Sequence, residues 1–122
     1  MFNRDYILIS GAVLVIAVGQ IIFKYAAQQL HIDEGRTLVR IALDNLFPII
    51  LVALALGLYV LSTIAWIQAL RTTPLSVAYI FNAMAFLIVP LAGVVFFGEP
   101  LPKFFFIGAL MIIGGIVVVT IK

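Results

Sequence analysis

Polar and apolar positions along this chain are segregated into blocks rather than interleaved. Four stretches carry no Asp, Glu, Lys or Arg: residues 6–23, 45–70, 72–98 and 104–121. At about 1.5 Å per residue, each can cross roughly 30 Å of hydrocarbon as a helix. A membrane β-barrel would instead alternate apolar and polar residues in segments of about ten. No such alternation is present. The pattern predicts an all-α integral membrane protein with one four-helix domain over residues 1–122. Its membrane helices fall at about 6–28, 46–70, 75–97 and 103–121, with a polar segment at 29–45 and two tight turns between the others. An even number of crossings puts both termini on the same side.

Composition narrows the class further. Hydrophobic residues make up 66% of the chain and charged residues 10%, with a mean hydropathy of +1.32. A water-soluble domain cannot hide that much apolar length behind so little polar surface, which excludes a soluble enzyme or a nucleic-acid-binding domain. There is no cysteine, hence no disulfide or thiolate site. A cleaved signal peptide fits poorly, because residues 1–5 carry no net side-chain charge and the apolar run that follows exceeds a usual signal core. The charge bias that sets orientation is close to zero. Arg4, Arg71 and Lys122 fall at the terminal face, and Arg36, Arg40 and Lys103 at the opposite face, with Lys24 near its edge. One weakly specified orientation and insertion both ways round remain open.

Within the helices, Gly11 and Gly19 suit close helix contact. Gln20, Lys24 and Gln28 are spaced four apart and share a face. Pro48 sits in an opening turn, where a missing N–H costs little, and Pro90 predicts a kink inside the third helix. Ile32, Leu38, Ile41, Ala42 and Leu43 allow a short interfacial helix with Arg36 and Arg40 towards headgroups; a plain loop is the alternative. Gly108 and Gly115 are seven apart and offer a flat seam to another helix. Four helices enclose little space and transporters are commonly built from paired repeats, so a dimer is expected, either with itself or with a related small membrane protein.

Lys24 is the leading candidate for chemistry. It either snorkels to the headgroups or attracts an anionic headgroup, with Gln20 and Gln28 on the same face as hydrogen-bond partners. Tyr79 and Asn82 share a face of the third helix, and Tyr59, Ser62 and Trp66 form a line in the second. These side chains suit a sugar or a cationic ring, or else hydrogen bonding between packed helices. Arg71 reads as a topology anchor and His31 as an interfacial side chain. Glu99 either caps the following turn or the start of helix four, or titrates to couple transport to protons. No acid lies deep in any helix, so a proton-exchanging exporter lacks its central carboxylate. Neither a metal cluster nor a catalytic or cofactor motif is apparent, and no cofactor is expected.

These pieces resemble the small four-helix, EamA-like members of the drug/metabolite transporter superfamily over almost the whole chain. They are the run from Gly19 to Lys24, the run from Thr73 to Tyr79, Phe97-Gly98-Glu99-Pro100, and the glycines from 108 to 115. Against the small multidrug resistance branch, Ile16 takes the place of the essential glutamate and Asn82 that of an aromatic residue, while Tyr79 matches. The Gly19-Gln20 and Lys24 pattern, with Gly98-Glu99-Pro100, is more similar to the small subunits of the flippase for undecaprenyl-phosphate-linked aminoarabinose. That resemblance implies a transporter, not an enzyme, in a bacterial inner membrane, moving a polyprenyl-phosphate-linked monosaccharide. Lys24 would meet the phosphate, and the region of Tyr79, Asn82 and Trp66 would house the sugar. Two other readings stay open: an exporter of small amphipathic or cationic molecules, and a non-transporting membrane adaptor.

Overall fold

The computed structural model describes residues 4–121, with the side chain of Thr120 excepted; Met1, Phe2, Asn3 and the terminal-face charge Lys122 lie outside them. Six helices follow one another: α1 (Arg4–Gln29), α2 (Leu38–Asp44), α3 (Leu46–Leu70), α4 (Leu75–Ala83), α5 (Ala85–Phe97) and α6 (Phe105–Thr120). Helices α4 and α5 together make one apolar rod, Leu75–Phe97, of 23 residues. With α1 and α3, that gives three helices long and apolar enough to cross a membrane. The fourth apolar helix, α6, has 16 residues and a length of about 24 Å.

Antiparallel packing of α1 on α3 organises the fold. In α1 the buried residues Asp5, Ala12, Gly19 and Ala26 are each seven apart. In α3 the buried residues Pro48, Ala55, Ser62 and Ala69 are also each seven apart. A strict seven-residue repeat keeps one stripe of a helix facing its partner at a shallow crossing angle. Small residues on both stripes let the backbones approach closely, the usual basis of helix association in lipid. Direction is fixed by contacts along the pair. Thr72 donates its hydroxyl to the buried carboxylate of Asp5 at one end, and Tyr25 meets Phe47 edge-on at 6.3 Å at the other. Asp5 also lies in the first turn of α1, where a carboxylate is favoured by the helix dipole.

Of the two glycines expected at close contacts, Gly19 is at one and Gly11 is not. A Cβ on Gly19 would lie 2.6 Å from a ring carbon of Tyr59, whereas one on Gly11 would meet nothing within 4 Å. The large buried apolar side chains lie at the end of α1 near the N-terminus. There Ile9 and Val13 pack with Ala69 and Ala78, and Tyr6 stacks on Phe81 at 5.4 Å. Most remaining apolar side chains point outward, among them Leu14, Val18, Val95 and Phe96, as lipid-facing surfaces require.

Two features depart from the simplest reading of the pattern. The interruption in the third rod falls at Met84, between α4 and α5, and Pro90 sits inside α5. At Met84 the ladder tightens: its N–H bonds to Phe81 O at 3.1 Å, and Leu87 N–H bonds to Met84 O at 3.0 Å. Met84 keeps right-handed helical dihedrals, so the change is one of hydrogen-bond register. The polar segment forms the short helix α2 after the Thr37 cap, whose hydroxyl accepts from Arg40 N–H at 3.3 Å. None of the α2 residues is buried. Asn45, only 1% exposed, ties this segment down. Its amide donates to His31 O at 2.7 Å and Ile41 O at 2.8 Å, and accepts from His31 N–H at 2.7 Å. Pro48, the third residue of α3, falls in the turn that has no N–H bonds to lose.

Replacing Gly19 by Val should lower stability by about 1–3 kcal/mol, because the new methyls must displace the Tyr59 ring. Gly11→Val should stay within about 0.5 kcal/mol of wild type. Thermal unfolding of the two variants in detergent checks this; equal midpoints would disprove the Gly19 contact.

Candidate functional site: a trough along the first helix

The face of α1 beside the α1–α3 seam carries Ile16, Gln20 and Lys24, one turn apart. Three cavities adjoin along it. The first, about 380 Å³, lies between α1 and α5 and is lined by Gln20, Lys24, Val89, Pro90, Gly93 and Glu99 among others. The second, about 310 Å³, shares Gln20, Val89 and Pro90 with the first and adds Ile16, Asn82 and Phe86. The third, about 200 Å³, shares Ile16 and Asn82 with the second and reaches Ser62, Thr63, Trp66 and Tyr79. Shared walls make them one trough. From Lys24 to Ile16 it runs about 12 Å along α1.

Local structure places each wall. Gln20 donates its amide to the Tyr59 hydroxyl at 2.8 Å, and Phe23 meets the same ring edge-on at 5.3 Å. Tyr59 is thus held against Gly19 from two sides. The hydroxyls of Ser62 and Thr63 both donate back to Tyr59 O, at 2.9 and 2.7 Å. Trp66 and Tyr79 meet edge-to-face at 6.0 Å, forming an aromatic corner at the far end. Pro90 has no N–H, so the Phe86 carbonyl beneath the trough lacks its usual helical donor.

At the near end, Lys24 Nζ lies 2.8 Å from Glu99 Oε1, with both side chains about half exposed. The motif Gly98-Glu99-Pro100 builds this pair. Gly98 ends α5 in the left-handed region at φ 63°, where glycine carries no Cβ penalty. Its N–H bonds to Val94 O at 3.0 Å. The reversal turns Glu99 back over α5, and Gly93 leaves room for it: a Cβ on Gly93 would lie 3.2 Å from the carboxylate. Glu99 therefore does not cap α6, whose N-cap position is Phe104.

All five expected substrate-site residues, Lys24, Gln20, Tyr79, Asn82 and Trp66, line the trough. Gln28, expected on the same face, is exposed and outside the three cavities. A Cβ on Gly108 or Gly115 would meet no atom within 4 Å among the described residues. Arg71 is exposed and its guanidinium donates to Gln68 at 3.5 Å. His31 is held by its backbone and by a ring contact to Gln29 O at 2.9 Å. Among the described residues no group of three His, Cys, Asp or Glu is placed to hold a metal. Gly93 was not evident in the sequence, where it is one small residue in an apolar run; its four-residue spacing from Phe97, just ahead of the Gly98 turn, was the available signal.

Long apolar helices beside a largely apolar trough set with a few polar side chains are the frame of a small multi-pass membrane protein, and similarity to known proteins gives its class, a transport protein of the inner membrane. Three named relatives make this specific. The probable 4-amino-4-deoxy-L-arabinose-phosphoundecaprenol flippase subunit ArnF of Aeromonas salmonicida is 30% identical, over 98% of this chain and 80% of its own length. ArnF of Aeromonas hydrophila is 31% identical, over 98% and 81%. ArnE of Yersinia pseudotuberculosis is 33% identical, over 96% of both chains. The chain belongs to this family of ArnE/ArnF flippase subunits within the small drug/metabolite transporters. No family model matches, and no solved structure does.

Because the chain has no cysteine, single cysteines can report on the trough directly. In membranes, Gln20→Cys and Asn82→Cys should react with a water-soluble maleimide at least about fivefold faster than Val18→Cys, which faces outward beyond the trough. Equal protection at the three positions would mean that the trough is closed to water.

Proposed function

We propose that this chain is one subunit of a flippase that moves an undecaprenyl-phosphate-linked aminosugar across the inner membrane. The family membership supplies the class of cargo. The observation that carries the reading is the trough, with a cation at one end and an aromatic, amide-bearing corner at the other. The charged phosphate cannot enter bare hydrocarbon, since desolvating it without a partner is costly. A lateral trough lets the headgroup travel between helices while the polyprenyl tail stays in lipid. Lys24 receives the phosphate as a charge-assisted partner. Gln20 and Asn82 offer amides along the path, and Trp66 with Tyr79 provides a face for the sugar ring.

The full assembly in this reading has α6 as a fourth crossing, both termini on one side, and a second small subunit of the same family or a second copy. About 24 Å of α6 is short for roughly 30 Å of hydrocarbon, a mismatch that local thinning of the bilayer accommodates at modest cost. Gly108 and Gly115 present their bare stripe to the partner. The multidrug-exporter reading loses support at Ile16, an apolar residue on the trough wall where that branch needs its carboxylate.

Transport in proteoliposomes separates flippase from adaptor. With a polyprenyl-phosphate monosaccharide in one leaflet, and a family partner co-reconstituted, Lys24→Ala should slow headgroup transfer by about tenfold or more, the scale of one charge-assisted contact worth about 1.5–3 kcal/mol. Native mass spectrometry of the same preparation should show unchanged subunit count. Full transport by a correctly assembled Lys24→Ala variant would reject the reading and favour the adaptor.

A further inference from the structure

We propose that Glu99 is the resident counter-anion of Lys24, displaced by the substrate phosphate on loading and restored to the ammonium on release. The inference rests on the reading above that the phosphate goes to Lys24. Three observations carry it. Lys24 and Glu99 are in contact at 2.8 Å, yet both are about half exposed, so the pair faces an open cavity rather than a sealed core. This ion pair is the only polar contact of the Glu99 side chain among the described residues, which leaves it free to swing away. Its position is also constructed: Gly98 reverses the chain, and Gly93 clears the space its carboxylate occupies.

The electrostatic logic is one of exchange. A lone ammonium at the edge of hydrocarbon is costly, and pairing offsets part of that cost. A carboxylate and a phosphate are interchangeable partners, but the phosphate brings more acceptor oxygens. Exchange keeps Lys24 neutralised before, during and after passage, so neither loading nor release exposes a bare charge. Two acids of the polar segment pair with arginines instead: Asp44 with Arg36 and Arg40, and Asp33 with Arg36. Direct competition also means that Glu99 weakens binding while speeding release, the opposite of what a ligand-holding residue does.

The test is binding of undecaprenyl phosphate to the full chain in nanodiscs, followed by native mass spectrometry. Glu99→Gln, nearly isosteric, should bind about two- to fivefold tighter, the size expected for losing one half-exposed competing pair. Gly93→Ala, which crowds the carboxylate without changing charge, should tighten binding in the same direction. Lys24→Ala should weaken binding, and adding Glu99→Gln to it should bring no recovery. Unchanged or weaker binding by Glu99→Gln, with Lys24→Ala still impaired, overturns the exchange but leaves the phosphate at Lys24. Tightening that persists in the double variant also overturns it, because the carboxylate would then act without Lys24. Binding that ignores Lys24→Ala, or is absent from wild type and Glu99→Gln alike, defeats the underlying reading and the exchange with it.

Discussion

Close approach of α1 to α3 is the constraint from which the rest follows. Its two stripes of small residues, seven apart on each helix, leave little side-chain volume between the backbones. In lipid there is no hydrophobic drive to press helices together, so packing and hydrogen bonds must hold them. At Gly19 the Tyr59 ring lies where a side chain would be. The Asp5–Thr72 contact and the Asn45 clip pin the two ends of the pair.

The trough is the complement of that seam. Where α1 and α3 pack on small residues, the neighbouring face of α1 is left to α4 and α5. The rod they form touches α1 without closing over it. Ile16, Gln20 and Lys24 are the residues that this geometry leaves lining open space. Because Gln20 hydrogen-bonds to Tyr59, the packing contact and the trough wall are physically joined. Asn82 and Pro90 lie along the trough between the Lys24 end and the aromatic corner of Trp66 and Tyr79.

Much of the architecture was legible as blocks of charge. Charge-free runs located the apolar helices, and four-residue spacing put Gln20 and Lys24 on one face. The α1–α3 stripes were also written in the chain, as small residues seven apart, but they are hard to see where alanine is common at many other positions. Glu99 was harder still. Its partner depends on Gly98 adopting a left-handed turn, and a glycine before a Glu-Pro pair is equally compatible with an ordinary connection. Pro90 sits inside α5, and the change of hydrogen-bond register at Met84 had no marker in the chain, since neither Gly nor Pro stands beside it. Asn45 looked like the edge of a polar segment, whereas its burial lets one side chain satisfy three backbone groups. The family resemblance compensated where local pattern ran out, and membership of the ArnE/ArnF flippase subunits agrees with it.

The most direct test of the account is to map where a headgroup sits. A polyprenyl phosphate carrying a photoactivatable diazirine beside its phosphate would be cross-linked to the protein in native membranes, and the modified residues located by mass spectrometry. The account predicts labels concentrated at Gln20, Lys24 and Pro90 and their trough neighbours, with few at the outward-facing Leu14, Val18 and Val95. Labels spread evenly over the outward faces, with none enriched in the trough, would contradict it.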